Sequence, residues 1–97
     1  MAEQQFSTTF KMDFIIADRF GAAAVKDTFN RAFAEWKTDH RYLTDLVLVL
    51  NHKIWEHWNA GRKTLAELYD GLWKKADAYA CENLKGDELQ YFYRMTD

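Results

Sequence analysis

The stretch TDHRYLTDLVLVLNHKIWEHWNAG, residues 38–61, decides the fold because it carries one complete helix with both of its end signals. Thr38 or Asp39 can serve as the N-cap, and Gly61 is the residue type that most often ends a helix in a left-handed conformation. Apolar side chains recur between these ends at three- and four-residue spacing, which is typical of a helix with one buried face. They are Leu43, Leu46, Val47, Leu50 and Ile54. The stretch therefore predicts a long middle helix.

Amphipathic segments on both sides of this stretch complete a helical core. Residues 22–36 place apolar side chains on one face, formed by Ala22, Val25, Phe29, Ala32, Phe33 and Trp36. The following segment begins at Thr64, which can form a capping box with Glu67, and continues to Ala80. Gly86 and Asp87 mark the start of a short C-terminal helix, with a strand as the alternative. We predict a mainly α fold, a compact three-helix core within one domain that spans residues 1–97.

The N-terminal segment has a different pattern. In FSTTFKMDF, residues 6–14, apolar and polar side chains alternate, which indicates a short extended segment. A small β element would form if this segment paired with the C-terminal one. A brief helix between Asp13 as N-cap and Gly21 as stop would follow. Residues 1–8 are a candidate flexible end.

Composition limits the kind of protein. The chain has 97 residues, of which 48% are hydrophobic and 29% charged, as in ordinary folded domains. Its formal charge of −2 argues against a basic nucleic-acid-binding surface. Cys81 is the only cysteine, which excludes an intramolecular disulfide, and the longest apolar run, Leu46–Leu50, is too short to span a membrane. We expect a soluble protein of the reducing cytoplasm.

The end of the middle helix, NHKIWEHWNAG at residues 51–61, raises the question of a metal site. At about 100° per residue, His57 falls on the apolar face whereas His52 lies nearly opposite, so one ion cannot bind both. His52 and Glu56 share a face, but they would need His40 as a third ligand, and no cysteine pair completes the set. We therefore expect no metal or cofactor. His57 is predicted to be hydrogen-bonded at the edge of the core, and His52 to be solvated or in an interface.

A second apolar strip on the middle helix predicts a contact outside the three-helix core. Trp55 lies opposite the core face together with Leu48. Aromatic residues make up 16% of the chain, which is more than one small core readily buries. Either the N-terminal segment, through Phe6, Phe10 and Phe14, or a second subunit or target protein could cover the strip. The predicted partner-binding residues are Leu48, Asn51, His52, Trp55 and Asn59.

Catalytic motifs are not recognisable in the sequence. Cys81 has no histidine three or four residues away that would activate its thiolate. The glycines stand singly, so they form neither a phosphate-binding loop nor a nucleophile elbow. The carboxylates, among them Asp18, Asp45 and Glu56, are scattered over faces that look solvated, and spacing pairs no two of them as acid and base. The sequence therefore predicts a non-enzymatic protein with no catalytic residue.

Four phrases, FKMDFIIADRFG, AVKDTFNRAF, LVLNHKIW and ACENLKGDELQYFYRMTD, resemble a family of small proteins encoded by phages and prophages of Gram-positive (Firmicutes) bacteria. The resemblance covers residues 9–97. It implies a setting, the cytoplasm of an infected bacterial host, where many proteins of this size inhibit host defence. No catalytic or binding residue is carried over from the family.

The leading hypothesis joins this setting to the absence of a catalytic motif. It is an inhibitor of host anti-phage defence that binds a host protein, such as a CRISPR nuclease, in a stoichiometric complex. The alternative is a homo-oligomeric sponge that sequesters a nucleotide immune signal, with phosphate contacts from Arg41, Arg62, Lys63 and Arg94. A further alternative is a replication accessory protein that binds a polymerase or single-stranded DNA, although the near-neutral charge makes nucleic-acid binding unexpected.

Overall fold

The computed structural model describes the backbone of residues 2–96 and the side chains of residues 11–96. Five helices follow one another, α1 (Ala2–Phe20), α2 (Ala22–Trp36), α3 (His40–Asn59), α4 (Lys63–Asn83) and α5 (Asp87–Thr96). The described backbone contains no strand, which confirms the mainly α fold class. None of these helices, over its described residues, combines the length and the hydropathy that crossing a bilayer requires. The single domain over residues 1–97 and the flexible end at residues 1–8 stay predictions.

The middle helix, α3, lies at the centre of a helical bundle and contacts each of the other four helices. Its predicted apolar stripe packs in the core, which confirms that prediction. The buried members are Leu43, Leu46, Val47 and Leu50, and Ile54 is partly buried. Each other helix contributes at least one fully buried aromatic ring, namely Phe14, Phe29, Tyr69 and Phe92. The core therefore extends beyond three helices, because α1 and α5 also pack against α3.

The predicted extended N-terminal segment and β element are wrong, because residues 6–14 lie inside α1. Phe14 is 0% exposed and Ala17 is 4% exposed, whereas Met12 is 52% exposed. A strand would place Met12 on the same side as Phe14, but the burial follows the three- and four-residue spacing of a helix. The phenylalanines of this segment are four residues apart. This spacing fits the two-residue period of a strand as well as the 3.6-residue period of a helix. Asp13 lies in the middle of α1 and is not its N-cap.

A Schellman motif ends α3 at the predicted glycine. Gly61 has a φ of 77°, a conformation that favours a residue without a side chain. The amide of Gly61 donates to the carbonyl of Trp58 at 3.2 Å, and the amide of Arg62 donates to the carbonyl of His57 at 2.8 Å. These two hydrogen bonds turn the chain back on itself and place Arg62 beside His57.

The other helix ends confirm some of the predicted caps. Asp39 caps α3, since its side chain accepts a hydrogen bond from the amide of Arg41 at 3.0 Å. The predicted capping box of Thr64 is wrong, because α4 begins at Lys63 and its N-cap residue makes no side-chain cap. The C-terminal segment is a helix with Phe92 buried, so the strand alternative is excluded.

Candidate functional site

Six polar side chains meet where α1, α3 and α4 pack together. We call them the polar cluster, and they are Asp18 on α1, Lys53, Glu56 and His57 on α3, Arg62 in the α3–α4 turn, and Tyr69 on α4. The three residues on α3 are three and four positions apart, so the helix presents them on one side. The polar cluster therefore continues the buried stripe of α3 with hydrogen-bonding groups.

Lys53 is the central cation of the polar cluster. Its Nζ atom lies 2.6 Å from Oδ2 of Asp18 and 2.6 Å from Oε2 of Glu56. The residue is 0% exposed, and a charge removed from water is costly unless it is paired and hydrogen-bonded. Nζ also lies 5.8 Å from the centre of the Tyr69 ring, within the range of cation–π attraction. The two carboxylates thus make the burial of this lysine possible.

Asp18 joins the three helices. Its Oδ1 atom accepts a hydrogen bond from the Tyr69 hydroxyl at 2.6 Å, and its Oδ2 atom lies 2.9 Å from Nε2 of His57. Only 14% of its side chain is exposed. The prediction that the carboxylates are solvated is therefore wrong for Asp18, and also for Asp45, which is 8% exposed. Asp18 pairs with residues of other helices, and such pairing leaves no periodic pattern in the sequence, which explains the error for Asp18.

His57 is hydrogen-bonded to α1, as predicted, but at 1% exposure it is buried more deeply than the predicted place at the edge of the core. The Nε atom of Arg62 donates to Nδ1 of this imidazole at 2.7 Å. A guanidinium can only donate, so Nδ1 is the acceptor and the ring proton lies on Nε2, facing Asp18. The imidazole is neutral in this arrangement, and it stacks on Tyr69 with ring centroids 5.3 Å apart.

The surroundings shift the pKa values of two members of the polar cluster. The hydrogen bond from Lys53 lowers the pKa of the Glu56 carboxyl, although partial burial acts in the opposite direction. Burial raises the pKa of the Tyr69 hydroxyl far above its ordinary range, and the hydrogen bond to Asp18 raises it further. Glu56 is therefore ionised and Tyr69 protonated at neutral pH.

Three members of the polar cluster have the donor atoms of a metal site. Asp18, Glu56 and His57 each offer one such atom, and these atoms lie within 4.8 Å of one another. However, the Lys53 ammonium lies 2.6 Å from both carboxylates, so a positive charge already occupies the space between them. The proton on Nε2 of His57 also removes the lone pair that would bind a metal. The arrangement therefore fits an internal cation better than a metal ion.

The structure does not bring together His40, His52 and Glu56, the metal ligands considered in the sequence. His52 lies 3.8 Å from Glu56, but His40 lies at the other end of α3 and pairs with Glu88 of α5 at 3.3 Å. Twelve residues of helix separate the two histidines by about 18 Å. No single ion can therefore contact both.

The centre of the polar cluster is not accessible from the surface, although the side chain of Glu56 is 35% exposed at its edge. Lys53 and His57 are at most 1% exposed, and among the described residues no buried side-chain nitrogen or oxygen lacks a hydrogen-bond partner. A general base or nucleophile must reach the atom on which it acts. The geometry therefore favours a structural role, in which these side chains tie α1, α3 and α4 together.

Lys53 is not among the predicted site residues, although its position on the apolar stripe of α3 indicated that it is buried. Lys53 follows Leu46 and Leu50 at helical spacing, so it takes a position on the buried stripe where an apolar residue is expected. A lysine at such a position requires a buried carboxylate nearby. Nothing in the sequence shows that Asp18 supplies it.

The five predicted partner-binding residues form one stripe along α3, which we call the α3 contact face. Trp55 is 58% exposed, Asn51, His52 and Asn59 are exposed, and Leu48 is partly buried. Phe14, one of the predicted covers, is buried instead, with its ring edge-on to Tyr69 at a centroid distance of 5.6 Å. The side chains of Phe6 and Phe10 lie outside the described residues. That the face contacts a partner stays a prediction.

A cleft beside the α3 contact face adds a residue that the sequence did not single out. Trp58 is 50% exposed and lines this cleft of about 250 Å³ between α3 and α4, together with Trp55. Its other lining residues are Ile54, Ala66, Glu67 and Asp70. Two neighbouring exposed tryptophans form a larger apolar surface than the predicted face alone.

The candidate phosphate contacts do not converge within one chain. Arg41 lies in the first turn of α3, whereas Arg62 and Lys63 follow its last turn, about 30 Å away along the helix axis. Arg62 is also engaged with His57. Arg94 lies near the end of α5. A pocket built from all four would therefore need more than one copy of the chain.

Comparison of the chain with models of known protein families, with curated proteins and with solved structures finds no match. The function is therefore inferred from the geometry of the chain and from the resemblance of its sequence.

Proposed function

We propose that this chain is a non-enzymatic accessory protein of a phage or prophage that inhibits a host anti-phage defence factor by stoichiometric binding. The resemblance of residues 9–97 to small phage proteins supports the setting. The exposed aromatic surface of α3 supports the mode of action. A CRISPR nuclease is the class of host protein that we test first.

The exposure of Trp55 carries the proposal. This side chain is 58% exposed on α3, which has more buried side chains than any other helix among the residues whose side chains are described. Tryptophan is among the residues that contribute most to binding energy in protein interfaces, and the apolar centre of an interface is commonly surrounded by a polar rim. Asn51, His52 and Asn59 provide such a polar surround within the α3 contact face. A partner that covers Trp55 would also cover Trp58, which is 50% exposed.

The polar cluster supports the non-enzymatic part of the proposal. It contains a histidine, carboxylates, a lysine and a tyrosine, which are residue types that acid–base catalysis uses, but its central groups are buried and already bonded to one another. Opening it would leave the Lys53 charge without its partners in the core. Binding through a surface requires no such opening.

The geometry gives less support to the nucleotide sponge. Its phosphate contacts lie at opposite ends of α3, and Arg62 is engaged inside the chain. An assembly of several copies would be needed to complete each pocket. Light scattering on the chain alone tests for such an assembly.

A plating assay tests the proposal. A host strain whose CRISPR nuclease targets a phage is made to express the wild-type chain, Trp55→Ala or Tyr93→Ala. Tyr93 is a matched control because it is an aromatic residue, 42% exposed, on α5 and outside the α3 contact face. We expect the wild type and Tyr93→Ala to raise plating by about tenfold or more, and Trp55→Ala to lose this effect because an interface tryptophan contributes about 2 kcal/mol or more.

Three results would count against the proposal. One is full protection by Trp55→Ala, which would separate the activity from the α3 contact face. Another is a loss of protection that coincides with a collapsed melting temperature, which would show that Trp55 stabilises the fold. Plating that none of the chains changes would reject CRISPR inhibition.

A further inference from the structure

A groove runs between α1 and α2, and it shares no lining residue with the polar cluster or with the α3 contact face. Its volume is about 530 Å³, and alanines at positions 17, 24 and 32 keep it open because they fill little space. Ile16, Phe20 and Trp36 also line it. The volume is within the range of pockets that bind ligands.

A row of exposed apolar side chains runs along α1, and two of its three members, Ile16 and Phe20, line this groove. Met12 is 52% exposed, Ile16 is 50% exposed and Phe20 is 78% exposed. They are four residues apart, so they lie in one row along the helix. Neighbouring helices commonly pack against a row of this kind, and a partner helix recognises it through its own residues at three- and four-residue spacing. No helix among the described residues covers this row.

The rim of the groove is acidic. Asp13, Asp27 and Glu35 line it with one cation, Arg31. Asp27 lies 3.3 Å from Arg31, and both side chains of this pair are at least 70% exposed. The rim therefore carries two carboxylates more than cations. An apolar floor with an acidic rim is complementary to an amphipathic helix that carries lysine or arginine beside its apolar face.

We propose that the groove between α1 and α2 docks a basic amphipathic helix of a protein partner. The row from Met12 to Phe20 extends over about 12 Å, so two to three turns of such a helix would cover it. A second copy of this chain fits less well, because it would bring a second acidic rim against the first. The groove shares no residue with the α3 contact face, so the two surfaces can be tested separately.

Two synthetic peptides of about 18 residues serve as probes, because such a length spans five helical turns. One places leucine on one helical face and lysine on the other. The second has the same leucine pattern with glutamate in place of lysine. Fluorescence anisotropy measures the binding of each peptide to the wild type, Phe20→Ala, Glu35→Lys and Trp55→Ala. Phe20 is exposed enough for its truncation to leave the fold intact, and circular dichroism checks this.

We expect the lysine peptide to bind with one peptide per chain, and more weakly as salt rises, because the rim charges are exposed. Phe20→Ala and Glu35→Lys should each weaken it by about tenfold, whereas Trp55→Ala should leave it unchanged. The glutamate peptide should bind at least tenfold more weakly than the lysine peptide.

Equal binding of the two peptides, or binding that Phe20→Ala leaves unchanged, would overturn the proposal. A stable dimer of the chain alone that Phe20→Ala dissociates would also overturn it, because the occupant would then be a second copy. If the peptide experiment rejects the groove proposal, the plating result for Trp55→Ala still stands, since Trp55 lies outside the groove.

Discussion

The Nζ atom of Lys53 on α3 lies 2.6 Å from Oδ2 of Asp18 on α1, and the lysine is fully buried. This contact gives α1 a fixed position against the centre of the bundle, in addition to the packing of Phe14 and Ala17. Removal of one partner of a buried ion pair strongly destabilises a protein, because the remaining charge has no water to solvate it. The stability of the fold should therefore depend strongly on this pair.

Replacement of Lys53 by alanine should lower the free energy of unfolding by about 3–5 kcal/mol, because Asp18 and Glu56 would lose their common cation in the core. Urea denaturation followed by circular dichroism measures this change. Lys74→Ala is the matched control, since Lys74 lies 2.9 Å from Asp70 in an exposed ion pair. The control should change the free energy by less than about 1 kcal/mol. Equal effects of the two substitutions would contradict a buried role for Lys53.

Replacement of Tyr69 by phenylalanine should cost about 1.5–3 kcal/mol at neutral pH, because the hydroxyl donates to an ionised carboxylate, Asp18. The difference in stability between wild type and variant should depend on pH. The pKa of Tyr69 is raised in the folded state, so the stability that the hydroxyl contributes is complete below the unfolded pKa of about 10 and is lost above it.

Urea titrations of both proteins at several alkaline pH values measure this dependence. The advantage of the wild type should be constant below about pH 10 and shrink by about 1.4 kcal/mol per pH unit above it. The other tyrosines and the lysines are common to both proteins, so their titration cancels. An advantage that persists unchanged at higher pH would show that Tyr69 ionises alike in both states.

The imidazole of His57 should carry its proton on Nε2, because Arg62 donates to Nδ1. Long-range proton–nitrogen correlation spectra of the ¹⁵N-labelled protein distinguish the two ring nitrogens. The imidazole of His52 is exposed to solvent, so it serves as an internal comparison for the buried imidazole of His57. A proton found on Nδ1 of His57 at neutral pH would be incompatible with the Arg62 contact.

The sequence predicted the parts of the fold that depend on local patterns. The amphipathic helix over residues 22–36, Asp39 as one of two candidate caps of α3, and the glycine after α3 follow from spacing and capping rules, and they agree with the structure. The N-terminal helix was predicted as an extended segment because phenylalanines four residues apart satisfy a period of two as well as the helix period. Only packing of Phe14 and Ala17 against the core decides between them.

The polar cluster was less predictable than the fold. The burial of His57 could be inferred from its place on the apolar stripe of α3, and the place of Lys53 on the same stripe was an available signal. Its partner Asp18 could not be identified, since the contact joins distant segments of the chain and depends on how α1 packs. The exposure of Trp55 could be inferred from its position opposite the core. The exposure of the neighbouring Trp58 was not predicted.

Light scattering on a sizing column tests the proposed stoichiometric binding most directly. A purified host CRISPR nuclease is mixed with the wild-type chain and, in parallel, with Trp55→Ala. Thermal melts first check that the two chains have the same melting temperature. We expect the wild type to form a complex whose mass equals one nuclease plus one or two copies of the chain, and Trp55→Ala to elute separately from the nuclease. A chain that elutes alone as a stable oligomer, does not bind the nuclease, and melts at a higher temperature with a dialysable nucleotide would contradict the proposal and favour the sponge.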